Sequence, residues 1–225
     1  MVQVSRRQAV AAVPAVFGGA SILSACSQAR DPESYEEAGK STWRTGPLVG
    51  IDGAALTREL VHCATLAPSS HNTQCWQFGA GDKVISIRPD PARRCPAVDP
   101  DDHHVFVTLG CAAENLVQAA LARGLAATPT FDSLSNTVRM ALAPIAARAS
   151  PLFHAIPSRQ CTRGDYDGRP LSREDLRLLE LAGQSTGVRL LLITDRAAME
   201  RVLDHVIQGN TAQLVDPAFV SELKS

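Results

Sequence analysis

Residues 67–78 read APSSHNTQCWQF, a stretch that joins the end of a predicted helix to the start of a predicted strand. Upstream, apolar residues recur at helical spacing over residues 52–67, which indicates an amphipathic helix. Pro68 has no amide donor and disfavours helical geometry at the residue before it, so the helix should end there. The polar loop that follows suits a flat ligand with polar edges, although an ordinary polar turn has the same composition.

Two pairs of short strands are predicted after this loop. Trp76 and Phe78 begin the first strand, residues 83–88 form the second, and residues 79–82 supply the turn of a β-hairpin. Further along, residues 131–142 read as two more strands around another turn. The sequence therefore predicts a small β structure on both sides of the next helix.

That helix is predicted over residues 104–123, where nearly every position is apolar. A helix that is apolar on most sides is a buried central helix. Asp99 reads as part of its N-terminal cap, and Gly124 ends it. Glu114 and Asn115 are the polar exceptions. They either cap neighbouring backbone or face a ligand, and we favour capping.

The polar loop carries a family motif. Its residues resemble the P-S-[SA]-x-N-x-Q-P-W pattern of the nitroreductase family, and the matching positions are Pro68, Ser69, Ser70, Asn72, Gln74 and Trp76. Cys75 stands where that family usually has proline. The resemblance implies that the first five of these residues contact FMN. It also implies an α+β fold, in which helices pack on a small antiparallel sheet.

A second motif lies in residues 158–171, which read SRQCTRGDYDGRPL. This stretch resembles the R-x-[ST]-x-R pattern found near the N-terminus of nitroreductases, with Cys161 at the Ser/Thr position and Thr162 one residue late. The resemblance implies that Arg159, Thr162 and Arg163 hold the FMN phosphate. Planar guanidinium groups suit a phosphate dianion, although a solvated arginine-rich loop would look similar.

The position of the second motif suggests an internal duplication. A helix over 172–184 and a strand over 188–193 repeat the helix-turn-strand order of residues 52–88, and another helix follows over 196–208. Each copy keeps the motif that the other lacks. The chain resembles the Acg-like branch of the nitroreductase superfamily over residues 47–225, which implies a single-chain pseudo-dimer.

We therefore expect a first nitroreductase-like half at residues 47–150 and a second half at residues 151–225. No second helix resembles the apolar helix at 104–123, so the second half is expected to be incomplete. The resemblance implies one surviving flavin site, shared between the two halves.

The N-terminal residues 1–26 read as an export signal rather than part of the fold. Arg6 and Arg7 form a twin-arginine pair, and an uncharged run too short for a membrane span follows them. The segment ends in a sequence that resembles a bacterial lipobox, which predicts lipidation of Cys26. Residues 27–46 then form a linker. We expect an exported protein anchored to the membrane, or a cytoplasmic one if the signal is not used.

Net charge and residue spacing argue against two classes of function, nucleic-acid binding and metal binding. The formal net charge of −1 argues against a nucleic-acid partner. No C-x-x-C spacing occurs, and the Asp and His residues at 99–104 read as a helix start, so no metal site is predicted.

The resemblance to nitroreductases implies FMN-dependent reduction of nitroaromatic or quinone-like acceptors. NAD(P)H or a membrane quinol would be the reductant. The alternative is a non-catalytic or degenerate flavin-binding lipoprotein.

Overall fold

The computed structural model describes residues 35–161, 164–184 and 187–224. Its contacts divide the chain into two units, residues 1–39 and residues 40–225. A helix, α1 (Tyr35–Thr42), begins within the stretch predicted to be a linker. Acidic residues in its first turn and a lysine in its last turn match the helix dipole. The other elements all belong to the second unit.

Two helices form the core. They are α2 (Gly53–Thr65) and α3 (His103–Ala122), and they pack against each other. α2 ends at Thr65, slightly before the end predicted from Pro68. The backbone amides of Leu66 and Ala67 donate to carbonyl oxygens three residues earlier, and these bonds tighten the last turn.

α3 also packs on the sheet, as predicted for a central helix, and Leu109 and Leu116 are fully buried. Within the described part of the chain, only α3 is long and apolar enough to cross a membrane, and this packing accounts for its apolar surface.

A four-stranded antiparallel sheet supports the helices. Its strands are β1 (Trp76–Gly81), β2 (Val84–Pro89), β3 (Leu125–Asp132) and β4 (Thr137–Pro144), in the order β1-β2-β4-β3. The predicted α+β class with a small antiparallel sheet is thereby confirmed.

The first hairpin turns later than predicted. Gly79 to Gly81 belong to β1, and the turn is Asp82–Lys83, with Lys83 in left-handed geometry at φ 53°. Gly79 lies close to β2, since a Cβ there would meet Ser86 Oγ at 2.6 Å unless that side chain turned away.

Asp99 caps α3 as expected. Its buried carboxylate accepts hydrogen bonds from the backbone N–H groups of His104 (2.9 Å) and Val105 (3.1 Å). Burial opposes ionisation, but these bonds and the nearby His104 ring hold the pKa of Asp99 below its usual value. Asn115 is confirmed as a capping residue, since its Nδ2 donates to the carbonyl oxygen of Cys63 in the last turn of α2 at 3.1 Å.

A buried ion pair joins α2 to the end of α3. Arg123 Nη2 lies 3.0 Å from Glu59 Oε1, and the two side chains are 1% and 12% exposed. Arg123 also donates to the carbonyl oxygen of Gly46, and its guanidinium lies over the ring of Phe153. The Gly46 amide donates to Glu59, so the segment that precedes α2 is held against the core.

Phe153 belongs to α4 (Pro151–Ala155), which packs on α3 immediately after the boundary proposed at residue 150. Ile156 in the following turn is buried too. We call α2 to α4 with the sheet, residues 53–158, the body.

The later elements are α5 (Arg173–Ala182), α6 (Arg196–Val215) and α7 (Pro217–Leu223). A capping box begins α5, with Ser172 and Asp175 as its two members. The strand predicted over residues 188–193 is wrong. Val188 forms an isolated β-bridge, and residues 189–193 have no regular secondary structure. A strand needs a neighbour to pair with. We call residues 164–184 and 187–215 the arm.

Candidate functional site

The loop between α2 and β1 has an unusual backbone. His71, Asn72 and Gln74 all have left-handed geometry, with φ values of 49°, 56° and 53°. Asparagine and histidine tolerate this region better than most residues, whereas glutamine seldom adopts it. Each such residue costs of order 1–3 kcal/mol and persists only where surrounding contacts hold it, so these positions commonly mark binding sites.

Internal hydrogen bonds hold the loop in this shape. The backbone amide of Gln74 donates to Ser69 Oγ at 3.0 Å, and the backbone amide of Asn72 donates to the Ser69 carbonyl oxygen at 3.0 Å. The Ser70 carbonyl oxygen accepts from both the amide and the hydroxyl of Thr73. The loop therefore satisfies much of its backbone by itself.

Residues that follow β2 also hold the loop. Arg93 Nη1 donates to the Thr73 carbonyl oxygen at 3.2 Å. The Asp90 amide donates to the carbonyl oxygen of Cys75, whose side chain is buried. These contacts connect the loop to the segment that follows β2, and nothing in the sequence pattern pointed to Arg93.

Several loop side chains stay available for a ligand. In the described part of the chain, the side chains of Ser70, Asn72 and Gln74 form no hydrogen bond, and the last two are exposed. Ser69 Oγ accepts a bond but keeps its own hydroxyl proton to donate. Pro68 is exposed at the entry to the loop.

Arg159 reaches the entry to this loop. Its Nη2 donates to the carbonyl oxygen of Leu66, the C-cap of α2, at 3.1 Å. Its guanidinium carbon lies 5.4 Å from the ring centroid of Trp43. Trp43 lies in the predicted linker, and only its bulky aromatic side chain in a polar segment could have indicated a packing role.

The charge of Arg159 also acts on a neighbouring thiol. Burial raises the pKa of half-buried Cys111 on α3, and Arg159 acts in the opposite direction. Within the described residues, the Nε of Arg159 is buried and has no hydrogen-bond partner.

The remaining predicted residues lie outside the described part of the chain. They are Thr162 and Arg163 of the second motif, Arg6 and Arg7 of the signal, and Cys26. Of the predicted site residues that are described, Arg159 and the loop meet through Leu66, three residues before Ser69.

The donor set fits a flavin mononucleotide. Amide and hydroxyl side chains on the loop can bond the polar edge of a flat ring, and the unpartnered Nε of Arg159 leaves donor capacity for an anion. Ser70, Asn72 and Gln74 would hold the ring edge, and Arg159 would hold the phosphate. A bound flavin supplies the electron-transfer chemistry, and the protein binds and orients it.

Comparison with known proteins gives a distant match. Two curated proteins from Mycobacterium tuberculosis (strains CDC 1551 / Oshkosh and ATCC 25618 / H37Rv), each named "Putative NAD(P)H nitroreductase", are 24% identical to this chain over 176 residues. The match covers 76% of this chain and 50% of each relative, so the chain spans about half the length of the curated relatives it matches. No family model matches the sequence.

This similarity supports a distant relationship to the nitroreductase superfamily. The observed architecture, with helices on a small antiparallel sheet, is compatible with that relationship. The two relatives match this chain with the same identity and coverage.

Proposed function

We propose that this protein is an FMN-dependent oxidoreductase of the nitroreductase type, which reduces nitroaromatic or quinone-like acceptors by two electrons. The observation that carries the proposal is the polar loop at 69–74. It combines the family motif with a left-handed backbone and unbonded polar side chains. The distant similarity to nitroreductases supports the same assignment.

In this proposal Ser69, Ser70, Asn72 and Gln74 bond the edge of the isoalloxazine ring. Arg159, Thr162 and Arg163 hold the phosphate, and Pro68 fixes the loop entry. The contact between Arg159 and Leu66 supports a shared site, because it holds the guanidinium beside the residues that lead into the loop.

A duplicated, Acg-like arrangement of residues 47–150 and 151–225 belongs to the same proposal. It explains why a motif typical of a nitroreductase N-terminus occurs at residue 159. The reductant is NAD(P)H if the protein is cytoplasmic and a membrane quinol if it is exported.

The second candidate is a flavin-binding protein without turnover. It would be a degenerate form of the same site, in which the contacts of Arg159 with Leu66 and Trp43 leave only part of the guanidinium for a phosphate. Steady reduction of a nitroaromatic acceptor by NAD(P)H or by a quinol, faster than with free FMN alone, separates the two candidates. Flavin binding without turnover would support the second.

The decisive experiment is a titration of the full chain with FMN, in which quenching of flavin fluorescence measures binding. Arg159→Ala with Arg163→Ala should weaken FMN binding by about 3 kcal/mol or more, since a hydrogen bond to a charged group contributes about 1.5–3 kcal/mol. The matched control is Arg196→Ala with Arg201→Ala, which removes two cations from exposed positions on α6. Equal affinity in both double variants would overturn the phosphate assignment.

We also propose export and lipidation at Cys26, guided by Arg6 and Arg7. Cys26→Ala should then shift the protein from the membrane fraction to the soluble fraction of fractionated cells. Finding the unprocessed wild-type chain in the cytoplasm would contradict this.

A further inference from the structure

Helix α7 is anchored in a way that the arm is not. Phe219 is 7% exposed, whereas no described side chain in residues 164–184 and 187–218 is buried. The arm therefore leads to a short helix that returns to the body and inserts one aromatic ring.

The ring of Phe219 inserts beside the polar loop. Its centroid lies 6.3 Å from that of His71, with the two ring planes at 90°. This edge-to-face arrangement is a favourable geometry for aromatic rings. His71 is itself one of the left-handed residues of the loop.

Glu222, one turn further along α7, makes a second attachment. Its two carboxylate oxygens accept hydrogen bonds from the backbone amides of Ala97 (2.9 Å) and Val98 (3.1 Å). Hydrogen bonds to an ionised acceptor are the stronger kind. The spacing of Phe219 and Glu222 places both on one face of the helix.

The two segments that α7 contacts are already linked to each other. Arg93 bonds the loop at Thr73, and the Asp90 amide bonds Cys75 at the loop's end. α7 therefore closes a unit made of the loop and residues 90–98. A strained loop keeps its shape only when several contacts determine it together.

We propose that α7 is an intramolecular clamp, in which Phe219 and Glu222 hold the 69–74 loop in its left-handed shape. The clamp's effect on flavin rests on the proposed function. Because linked equilibria are reciprocal, a clamp that favours the binding-competent loop is in turn stabilised by the bound flavin. Phe219 and Glu222 are positioning residues for that site.

The test is hydrogen exchange of the full chain without flavin. Phe219→Ala should speed exchange of the hydrogen-bonded backbone amides of residues 72–74 by about tenfold or more, because losing a buried aromatic ring releases the helix. Exchange in α3 reports global opening and should stay unchanged. Leu214→Ala is the matched control, since it removes an exposed apolar side chain from α6. Phe219→Leu, which keeps apolar bulk, should restore most of the protection.

Glu222→Gln is the milder variant. It turns one acceptor into a donor that faces a backbone N–H, so it should also speed exchange of the backbone amides of residues 72–74. Unchanged exchange there in both variants, or an equal increase in α3, overturns the clamp.

A second part of the experiment adds FMN. Bound FMN should slow exchange of α7 in wild type, and FMN affinity should fall in Phe219→Ala but not in Leu214→Ala. Absence of any FMN binding contradicts the proposed function and leaves the flavin-free exchange result to decide the clamp. Unchanged exchange of α7 on FMN binding would refute the linkage.

Discussion

The body and the arm each contain a long helix with apolar side chains at helical spacing, but the two helices have different surroundings. α3 and α6 are both twenty-residue helices with many apolar side chains. Nine residues of α3 are buried and none of α6 is. The same spacing that packs α3 between α2 and the sheet leaves Leu203 and Ile207 exposed on α6. Periodicity therefore predicts that a helix forms, but not that another element covers it.

The largest contrast between the regions concerns their ion pairs. Glu59→Leu should destabilise the protein by about 3–5 kcal/mol, because it leaves Arg123 buried without a counter-charge. Adding Arg123→Met should recover much of the loss, since the orphaned charge is then gone. The exposed pair Arg196–Glu200 on α6 is the control, and Glu200→Leu should leave the urea midpoint unchanged. A similar midpoint for Glu59→Leu and Glu200→Leu would erase the contrast.

Apolar side chains test the same difference. Leu116→Ala on α3 should cost about 2–5 kcal/mol, because it leaves a cavity in the core. Leu203→Ala on α6 removes the same atoms from a side chain that is 54% exposed and should change stability by less than about 0.5 kcal/mol. Chemical denaturation of the two variants measures both values. A large loss for Leu203→Ala would show that the arm is covered in solution.

Helix caps should give the smallest effect. Asp99→Ala should cost about 1–2 kcal/mol at pH 7, because α3 loses a buried cap. The pKa of Asp99 is lowered in the fold, so its stabilising contribution is present above the unfolded-state value of about 3.9. It is lost as the pH falls through the folded pKa.

The difference between Asp99→Ala and wild type should therefore shrink in urea melts below about pH 3.9. Asp195 caps α6 in the arm with a bond to the Ala198 amide at 2.9 Å. Asp195→Ala should fray α6 with less effect on the global transition. A pH-independent difference for Asp99→Ala would refute the cap.

Local sequence signals predicted most of the body. Pro68 marked the end of α2, and the uniform apolar run of α3 predicted a buried helix with Asp99 at its start. The turn of the first hairpin was placed too early, because three residues in a Gly-Ala-Gly run looked like turn material. Their place in β1 comes from backbone pairing with residues 84–86 of β2, which their turn-like composition did not reveal.

The site was only partly predictable. The motif located the polar loop, because its polar residues and proline are local features. The contacts of Arg159 with Leu66 and Trp43, and of His71 with Phe219, join residues far apart in the chain. No periodicity encodes such contacts. The strand expected over 188–193 failed for the same reason, since pairing requires a neighbour.

Comparing FMN with riboflavin tests the central claim most directly, since riboflavin lacks only the phosphate. The claim is that one site unites the loop at 69–74 with the arginine motif at 159–163. Titration of the full chain should show FMN binding at least about tenfold tighter than riboflavin, as expected for one charge-assisted contact of about 1.5–3 kcal/mol. Arg159→Ala with Arg163→Ala should abolish this preference, and Asn72→Ala should weaken both ligands equally. Equal affinity of the wild-type protein for FMN and riboflavin, or binding of neither, would contradict the account.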